Sequence, residues 1–493
     1  MSTADEAAIP SSTHAVTDDA LADYDTVDLV AALRRREVSS GEVWEAARAR
    51  AQSMQPSLNA ASSWPERGTG TPSGDGRRTT SPGDSSETDA ESLLAGVPTV
   101  LKDNEDLVGL PTGHGSRAVS EAPSTRTSRF ASQLRGLGMD FVAKTTLPEF
   151  GLTATTESVA CGDTRNPWNT AHSVGGSSGG SAALVAAGAV PIGHANDGGG
   201  SIRIPASSCG LVGLKPTRGR LVHIEGTDAA PINMAVQGVL TRTVRDTALF
   251  YSTIEQHYPS GEFPPIGDVT SPTTQRLRIG VVTAGPRGLE PDARTAELVR
   301  RTGELCESLG HHVEEIPVPY DDQFATDFLR FWGLLGLGLH RMGAQIYGEG
   351  FRRERLEEFT LGLSHYATSI LPRIPGSVRR LQRYAAEYDS VPEGLDLVLS
   401  PVLGHEPPPI GLLGPEVPFR EHMVRLLRFA SYTAAQNISG APAISLPAGF
   451  GPNGVPMGVH FVASMGQERM LLELALQIEE ARPWPTTPAQ PLR

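Results

Sequence analysis

The fold of this sequence is decided by two glycine- and serine-rich segments, GGSSGGSAALVAAG at residues 175–188 and DGGGSIRIPASSCGLVGLKPTRGR at residues 197–220. Flexible linkers continue in Gly and Ser, whereas each of these segments runs directly into an apolar stretch that is suited to a protein core. We therefore interpret the glycines as residues that the backbone needs for tight geometry or close approach in a buried region.

The glycines of the second segment stand directly before Ser201. Consecutive glycines can adopt positive φ and turn successive amide N–H groups toward one concavity, which binds an anion. Beside a serine, we interpret this concavity as an oxyanion hole formed by Gly198, Gly199 and Gly200. Each such donor contributes about 3 to 4 kcal/mol to transition-state stabilisation. A phosphate- or sulfate-binding nest in a non-catalytic protein is the alternative interpretation of this segment.

A serine hydroxyl needs a base before it can act as a nucleophile, and neither segment contains a histidine. Lysine is the known alternative base. Lys102 ends the apolar run GVPTVLKDN at residues 96–104, where a long charged side chain does not serve solubility. An ion pair with Asp103 or Asp106 would be a purely structural explanation of Lys102. Lys144, which follows another apolar run, is the competing lysine.

Together, these segments resemble the amidase signature family. The intervals of 75 residues between Lys102 and Ser177 and of 24 residues between Ser177 and Ser201 match those typical of the family. The run NISGAPAISLPAGF resembles the C-terminal signature of the same family. The resemblance covers residues 27–61, 95–255 and 395–480.

The resemblance implies an amidase that hydrolyses linear amide carbon–nitrogen bonds through an acyl-enzyme. Ser201 would be the nucleophile, Ser177 would follow a cis peptide bond and relay a proton, and Lys102 would be the final base. Asn196 departs from the threonine that many members have at that position. The resemblance implies no metal or other cofactor, and it implies supporting or substrate-contacting roles for Ser178, Asp197 and Arg203.

Alternation of strand-like and helical patterns along the chain predicts an α/β fold. The resemblance implies one large domain at residues 25–485, with a central mixed β-sheet flanked by helices. Residues 62–91, rich in Gly, Ser, Thr and Pro, are predicted to be a flexible insertion because they can bury little apolar surface. Residues 320–390 are predicted to form a variable helical region at the substrate pocket, and the aromatic cluster Phe324–Trp332 suggests an apolar or aryl acyl pocket.

We expect residues 1–24 to be a loose N-terminal segment and residues 486–493 to be a C-terminal tail. The chain lacks the basic start and apolar run of a secretory signal and any stretch long enough for a membrane span, which predicts a cytoplasmic protein without a membrane partner. The formal net charge of −14 disfavours nucleic acid as a partner. The expected partner is a small-molecule amide, ester or carbamate. Formation of a homodimer is compatible with the sequence.

Other functions stay open at the level of sequence. Gly175–Gly179 satisfies Gly-x-Ser-x-Gly, the nucleophile motif of α/β-hydrolases, although the run before Ser177 is loop-like where that fold needs a strand. The A subunit of an aminoacyl-tRNA amidotransferase would carry a similar signature core, as would an ester or carbamate (urethane) hydrolase on the same scaffold. The acidic charge and the long insertion favour a stand-alone hydrolase.

Overall fold

The computed structural model describes residues 12–69, 92–227, 230–388 and 390–489. The helices in these ranges are α1 Thr26–Arg34, α2 Ser40–Leu58, α3 Arg129–Gly136, α4 Gly179–Ala186, α5 Arg203–Cys209, α6 Val244–His257, α7 Ala293–Ser308, α8 Asp322–Tyr347, α9 Glu358–Ser369, α10 Ile374–Glu387, α11 Phe419–Phe429, α12 Ala434–Ser439 and α13 Glu468–Ala481. The strands are β1 Ala61–Ser63, β2 Pro98–Lys102, β3 Asp140–Thr145, β4 Glu157–Ser158, β5 Gly162–Asp163, β6 Arg165–Asn166, β7 Asn169–Ser173, β8 Ile192–Asp197, β9 Val212–Lys215, β10 Val236–Thr241, β11 Arg278–Val281, β12 His312–Glu315, β13 Leu397–Pro401, β14 Ala443–Phe450 and β15 Pro456–Ala463.

Eight of the described strands form one mixed sheet in the order β12-β11-β13-β15-β14-β9-β10-β8. The strands β12, β11 and β13 run parallel, and the other neighbours are antiparallel. A smaller sheet has the order β1-β3-β2, and β2 lies beside β8, where Thr99 Oγ1 donates to Ile192 O over 3.0 Å. Helices α6, α7 and α13 pack against the large sheet. The predicted single α/β domain with a central mixed sheet and flanking helices is confirmed.

The glycines of the first quoted segment permit close approach, as predicted. Every residue of α4 is buried. A Cβ at Gly179 would lie 2.1 Å from Thr156 Oγ1, and a Cβ at Gly176 would lie 2.6 Å from Thr155 O. Real side chains do not tolerate such distances, so only glycine lets this segment pack against residues 155–156.

Local side-chain contacts define the start of α2. Ser39 accepts from the Glu42 amide while the Glu42 carboxylate accepts from the Ser39 amide, a capping box that starts α2. The predicted helical region at residues 320–390 consists of α8, α9 and α10. No helix within the described ranges is long and apolar enough to cross a bilayer.

The prediction of a loose N-terminal segment is wrong for residues 12–24. Ala15 donates its amide to Ala187 O over 2.7 Å, and Leu21 is buried in the main core. The buried Arg50 forms an ion pair with Asp19 at 2.6 Å. A polar composition therefore did not prevent ordering, because a few apolar anchors and backbone hydrogen bonds hold this stretch.

The predicted insertion at residues 62–91 begins too early. Ser62 and Ser63 belong to β1, which pairs with β3, and the guanidinium of Arg48 lies 4.7 Å from the ring centre of Trp64. Strand pairing orders this polar start of the segment. At the other end of the chain, Thr487 in the predicted tail is buried. The parts of the three predicted loose segments at residues 1–11, 70–91 and 490–493 lie outside the described residues.

Candidate active site

The three polar residues of the predicted site come together where separate chain segments end. Lys102 is the last residue of β2, Ser177 precedes α4, and Ser201 stands between the end of β8 and the start of α5. Strand β2 is held beside β8 by the Lys102 amide, which donates to His194 Nδ1 over 3.1 Å. As a result, all three side chains line one cavity.

The Lys102 side chain is buried with neutral partners. Its Nζ lies 2.7 Å from Ser177 Oγ and donates to Asn196 Oδ1 over 2.7 Å. Burial lowers the pKa of Lys102 from 10.5 to about 7, although the negative charges of Asp197 and Glu105 act in the opposite direction. A lysine with this pKa is largely a neutral amine just above neutral pH, so it can accept a proton.

The ion pairs show which lysine is paired with Asp103. Lys144 Nζ lies 2.6 Å from Asp103 Oδ1 and donates to Pro111 O over 2.7 Å. Asp106 is paired with Arg126 at 2.8 Å. The ion pair considered for Lys102 therefore belongs to Lys144, and Lys102 is left to contact Ser177.

Two glycines lie next to Ser177: Gly176 precedes it in the chain, and Gly151 lies against its side chain. The Gly176–Ser177 peptide bond is cis, as the resemblance implies. Gly151 has φ +69°, and a Cβ on it would lie 3.0 Å from Ser177 Oγ. Gly151 was not predicted as a site residue, because its local sequence gives no sign of contact with a residue 26 positions away.

Ser201 is 8% exposed, which is more than Ser177 at 2% and Lys102 at 1%. No hydrogen bond joins its hydroxyl to Ser177 or to another residue in the described part of the chain. Its oxygen is therefore free to approach a substrate carbonyl.

The loop at residues 198–200 is held by Asp197, and this corrects one predicted oxyanion donor. Asp197 accepts hydrogen bonds from the amides of Gly200 at 2.7 Å and Ile202 at 3.1 Å. The Gly200 amide therefore already donates to a carboxylate and is not free to stabilise an oxyanion. The amides of Gly198, Gly199 and Ser201 have no acceptor among the described residues.

Asp197 and Arg203 form a fully buried ion pair that supports this loop. Their closest atoms are 2.9 Å apart, and Arg203 also donates to Asn437 Oδ1 over 2.7 Å. Burial alone would raise the pKa of Asp197, but Arg203 holds it well below its usual value. Ser178 donates to Asn196 O over 3.2 Å. Neither Arg203 nor Ser178 lines either of the cavities that Ser201 lines.

His194, the histidine nearest to Lys102, is a structural residue. Its Nδ1 accepts from the Lys102 amide, so its Nε2 carries the proton and donates to Gln237 Oε1 over 2.9 Å. Burial lowers the pKa of His194 to about 3. Gln237 in turn donates to Glu105 over 2.7 Å. This chain of buried polar side chains was not predicted, since its members are far apart in sequence.

Two cavities meet at Ser201. The larger has a volume of about 730 Å³ and includes Lys102 and Ser177 in its wall. The smaller has a volume of about 90 Å³ and is lined mainly by aliphatic and aromatic side chains. The residues that line both cavities are Gly151, Leu152, Ser201 and Trp332.

The aromatic cluster Phe324–Trp332 belongs to the wall of these cavities as well as to the core. Phe324 and Phe328 line the smaller cavity, and Phe331 is fully buried. Trp332 Nε1 donates to Leu152 O over 3.1 Å, and a Cβ on Gly199 would lie 3.4 Å from its ring. The cluster therefore packs α8 against the loop at residues 198–200.

Comparison with known proteins identifies the family. The sequence model of the Amidase family matches residues 42–472. The chain belongs to the amidase family. The "Putative amidase AmiC" of Mycobacterium leprae is 43% identical over 479 residues, covering 96% of this chain and 98% of that protein. The 6-aminohexanoate-cyclic-dimer hydrolase of Pseudomonas sp. is 35% identical over 428 residues, covering 80% of this chain and 85% of that protein.

Solved structures agree with this assignment. The structure of 6-aminohexanoate cyclic dimer hydrolase complexed with substrate superposes with a TM-score of 0.80 at 29% identity, covering 97% of this chain and 99% of that chain. A bacterial aryl acylamidase has a TM-score of 0.75 at 23% identity, covering 94% and 96%, and shares the fold. This amidase therefore acts on amide carbon–nitrogen bonds, and the alternative of an α/β-hydrolase fold is wrong.

Proposed function

We propose that this amidase cleaves its substrate through an acyl-enzyme on Ser201, with Ser177 as proton relay and Lys102 as base. The observation that carries the proposal is the 2.7 Å contact between Lys102 Nζ and Ser177 Oγ in a buried setting. A neutral amine at this position can accept a proton from Ser177, which in turn can accept one from Ser201.

Acylation begins when Ser201 Oγ attacks the substrate carbonyl and forms the C–O bond. The Ser201 proton passes to Ser177, and the Ser177 proton passes to Lys102, which becomes an ammonium. The tetrahedral oxyanion is stabilised by the free amides of the loop at residues 198–201, each worth about 3 to 4 kcal/mol. The ammonium then returns its proton through Ser177 to the substrate nitrogen, the C–N bond breaks and the amine leaves.

Deacylation repeats the same sequence with water. Water adds to the acyl carbon, and its proton reaches Lys102 through Ser177. The second tetrahedral intermediate collapses with departure of Ser201 Oγ, which takes the proton back through the same relay. The products are one carboxylic acid and one amine, and the enzyme returns to its starting protonation state.

The test separates nucleophile from relay. With a p-nitroanilide substrate, Ser201→Ala should abolish a covalent acyl adduct detected by mass spectrometry, and Ser177→Ala should form the adduct slowly. The control Ser208→Ala changes a buried serine on α5 whose hydroxyl has no partner among the described residues. It should keep both rate and adduct. An adduct on Ser177 in the wild type, or normal turnover by Ser201→Ala, would contradict the assignment.

The same assay addresses the other activities on this scaffold. An amide and an ester with a common acyl group, together with a carbamate of similar size, compare the three bond types. A stand-alone amidase should turn over the amide without a second protein. Turnover that requires a co-purified subunit would instead favour the amidotransferase A subunit.

A further inference from the structure

We propose that the two cavities bind the two parts of the substrate that lie on either side of its scissile bond. The smaller cavity holds the acyl group, which is a short aliphatic chain, and the larger cavity holds a bulky polar amine. This assignment rests on the proposed roles of Ser201, Ser177 and Lys102. Ser201 lines both cavities, so a carbonyl carbon in reach of its oxygen lies at their junction.

The proton relay decides which half of the substrate lies on which side. The departing nitrogen must receive a proton from Ser177, which recovers it from Lys102. Both residues line the larger cavity and neither lines the smaller one. The nitrogen and its substituent therefore lie in the larger cavity, and the acyl chain extends in the other direction, past Ser201.

The chemistry of the two walls agrees with this orientation. The smaller cavity is lined by apolar side chains such as Ile204, Phe328, Leu329 and Met423. A polar acyl group would lose its hydrogen bonds to water there without replacement. The larger cavity presents charged side chains, including Glu105, Asp106, Arg126 and Glu225, which can solvate a polar amine half.

The volume of the smaller cavity limits the acyl group. It is about 90 Å³, less than the roughly 150 Å³ of an apolar cavity that holds benzene. A flexible chain of a few carbons fits this space better than an aromatic ring. The wall toward the larger cavity is fixed, because Trp332 Nε1 is hydrogen-bonded to Leu152 O and the ring stacks on Phe328.

Helix α8 offers a matched pair of variants for the test. Leu329 lines only the smaller cavity and Leu335 lines only the larger one, and both are half-buried. Leu329→Ala and Leu335→Ala remove the same atoms from the two sides. The substrates are acetyl, butanoyl, octanoyl and benzoyl p-nitroanilides, together with butanoyl amides of ammonia and of a dipeptide amine.

In the wild type, kcat/KM should rise roughly fourfold per methylene from acetyl to butanoyl and fall for octanoyl and benzoyl. Leu329→Ala should raise the octanoyl-to-butanoyl ratio about tenfold and leave the dipeptide-to-ammonia ratio unchanged. Leu335→Ala should change only the ratio between the amines. If Leu329→Ala unfolds the protein, Leu329→Val should shift the acyl preference in the same direction by less.

The outcomes distinguish this inference from the function on which it rests. Acyl selectivity that follows Leu335, or that responds to neither variant while a Ser201 adduct still forms with each acyl group, would overturn the division of the substrate alone. Absence of a Ser201 adduct with every substrate would overturn the proposed function. If Leu329→Ala and Leu335→Ala shift the acyl ratio and the amine ratio independently while the Ser201 adduct still forms, the result supports both this inference and the proposed function.

Discussion

Lys102 Nζ and Asn196 Oδ1 lie 2.7 Å apart, one at the end of β2 and the other near the end of β8. The amide oxygen accepts one of the N–H groups of the lysine and so helps to orient the amine toward Ser177. Because Asn196 is neutral, it orients Lys102 without the strong stabilisation of the ammonium that a carboxylate would provide. This pairing keeps a buried lysine available as a base.

The pH dependence of activity should report Lys102. Its pKa is lowered to about 7 by burial, and only the neutral amine can accept a proton. Hence kcat/KM should be level above this value and fall about tenfold per pH unit well below it. The residual activity of Lys102→Ala should lack this acidic limb. If the wild type and Lys102→Ala both show an acidic limb with the same pKa, the titrating group is a residue other than Lys102.

Replacement of Asn196 should alter both rate and pH profile. Asn196→Leu removes the acceptor of the Lys102 N–H, so the ammonium loses a stabilising partner and its pKa should fall further. We expect kcat/KM to fall about 10- to 100-fold, with the acidic limb moved to lower pH. Asn196→Thr retains a hydroxyl acceptor and should keep more activity. A drop in rate without movement of the limb would indicate a purely structural role for Asn196.

Gly151 should matter through its contact with Ser177. Gly151→Ala forces a side chain into positive φ and places its Cβ 3.0 Å from Ser177 Oγ. Gly261→Ala is a matched control, since Gly261 has the same φ of +69° with open space around it. Each variant should lose about 1 kcal/mol of unfolding free energy from backbone strain. Only Gly151→Ala should also lower kcat, and equal kinetics for the two would exclude the contact as its cause.

The buried pair Asp197–Arg203 should contribute to stability as well as to loop geometry. Asp197→Asn leaves Arg203 as an uncompensated buried charge, at a cost of about 3 to 5 kcal/mol in unfolding free energy measured with urea. The exposed pair Arg469–Glu473 at 2.8 Å is the control, and Glu473→Gln should cost less than about 1 kcal/mol. Similar losses in the two variants would contradict the distinction drawn from burial.

Local structure was predictable where a short-range signal sufficed. The apolar run that ends at Lys102 is strand β2, and the apolar stretch after Ser177 is the buried helix α4; both were recognisable from neighbouring residues. The boundaries of the loose segments were predicted less well. Ser62 and Ser63 are ordered by pairing with β3, a partner that composition does not reveal.

The sequence by itself determined the α/β fold, through alternating strand-like and helical patterns, and the family, through signature motifs at typical spacing. It predicted Ser201 and Lys102 from their neighbouring residues, and Ser177 through the resemblance to that family. Only the tertiary structure decided that Lys102 contacts Ser177 while Lys144 forms an ion pair with Asp103. It also decided that the Gly200 amide donates a hydrogen bond to Asp197. The physical reason is that burial, hydrogen-bond partners and cavity shape depend on atoms brought together from distant positions, and these set the pKa of a lysine and the direction of an amide.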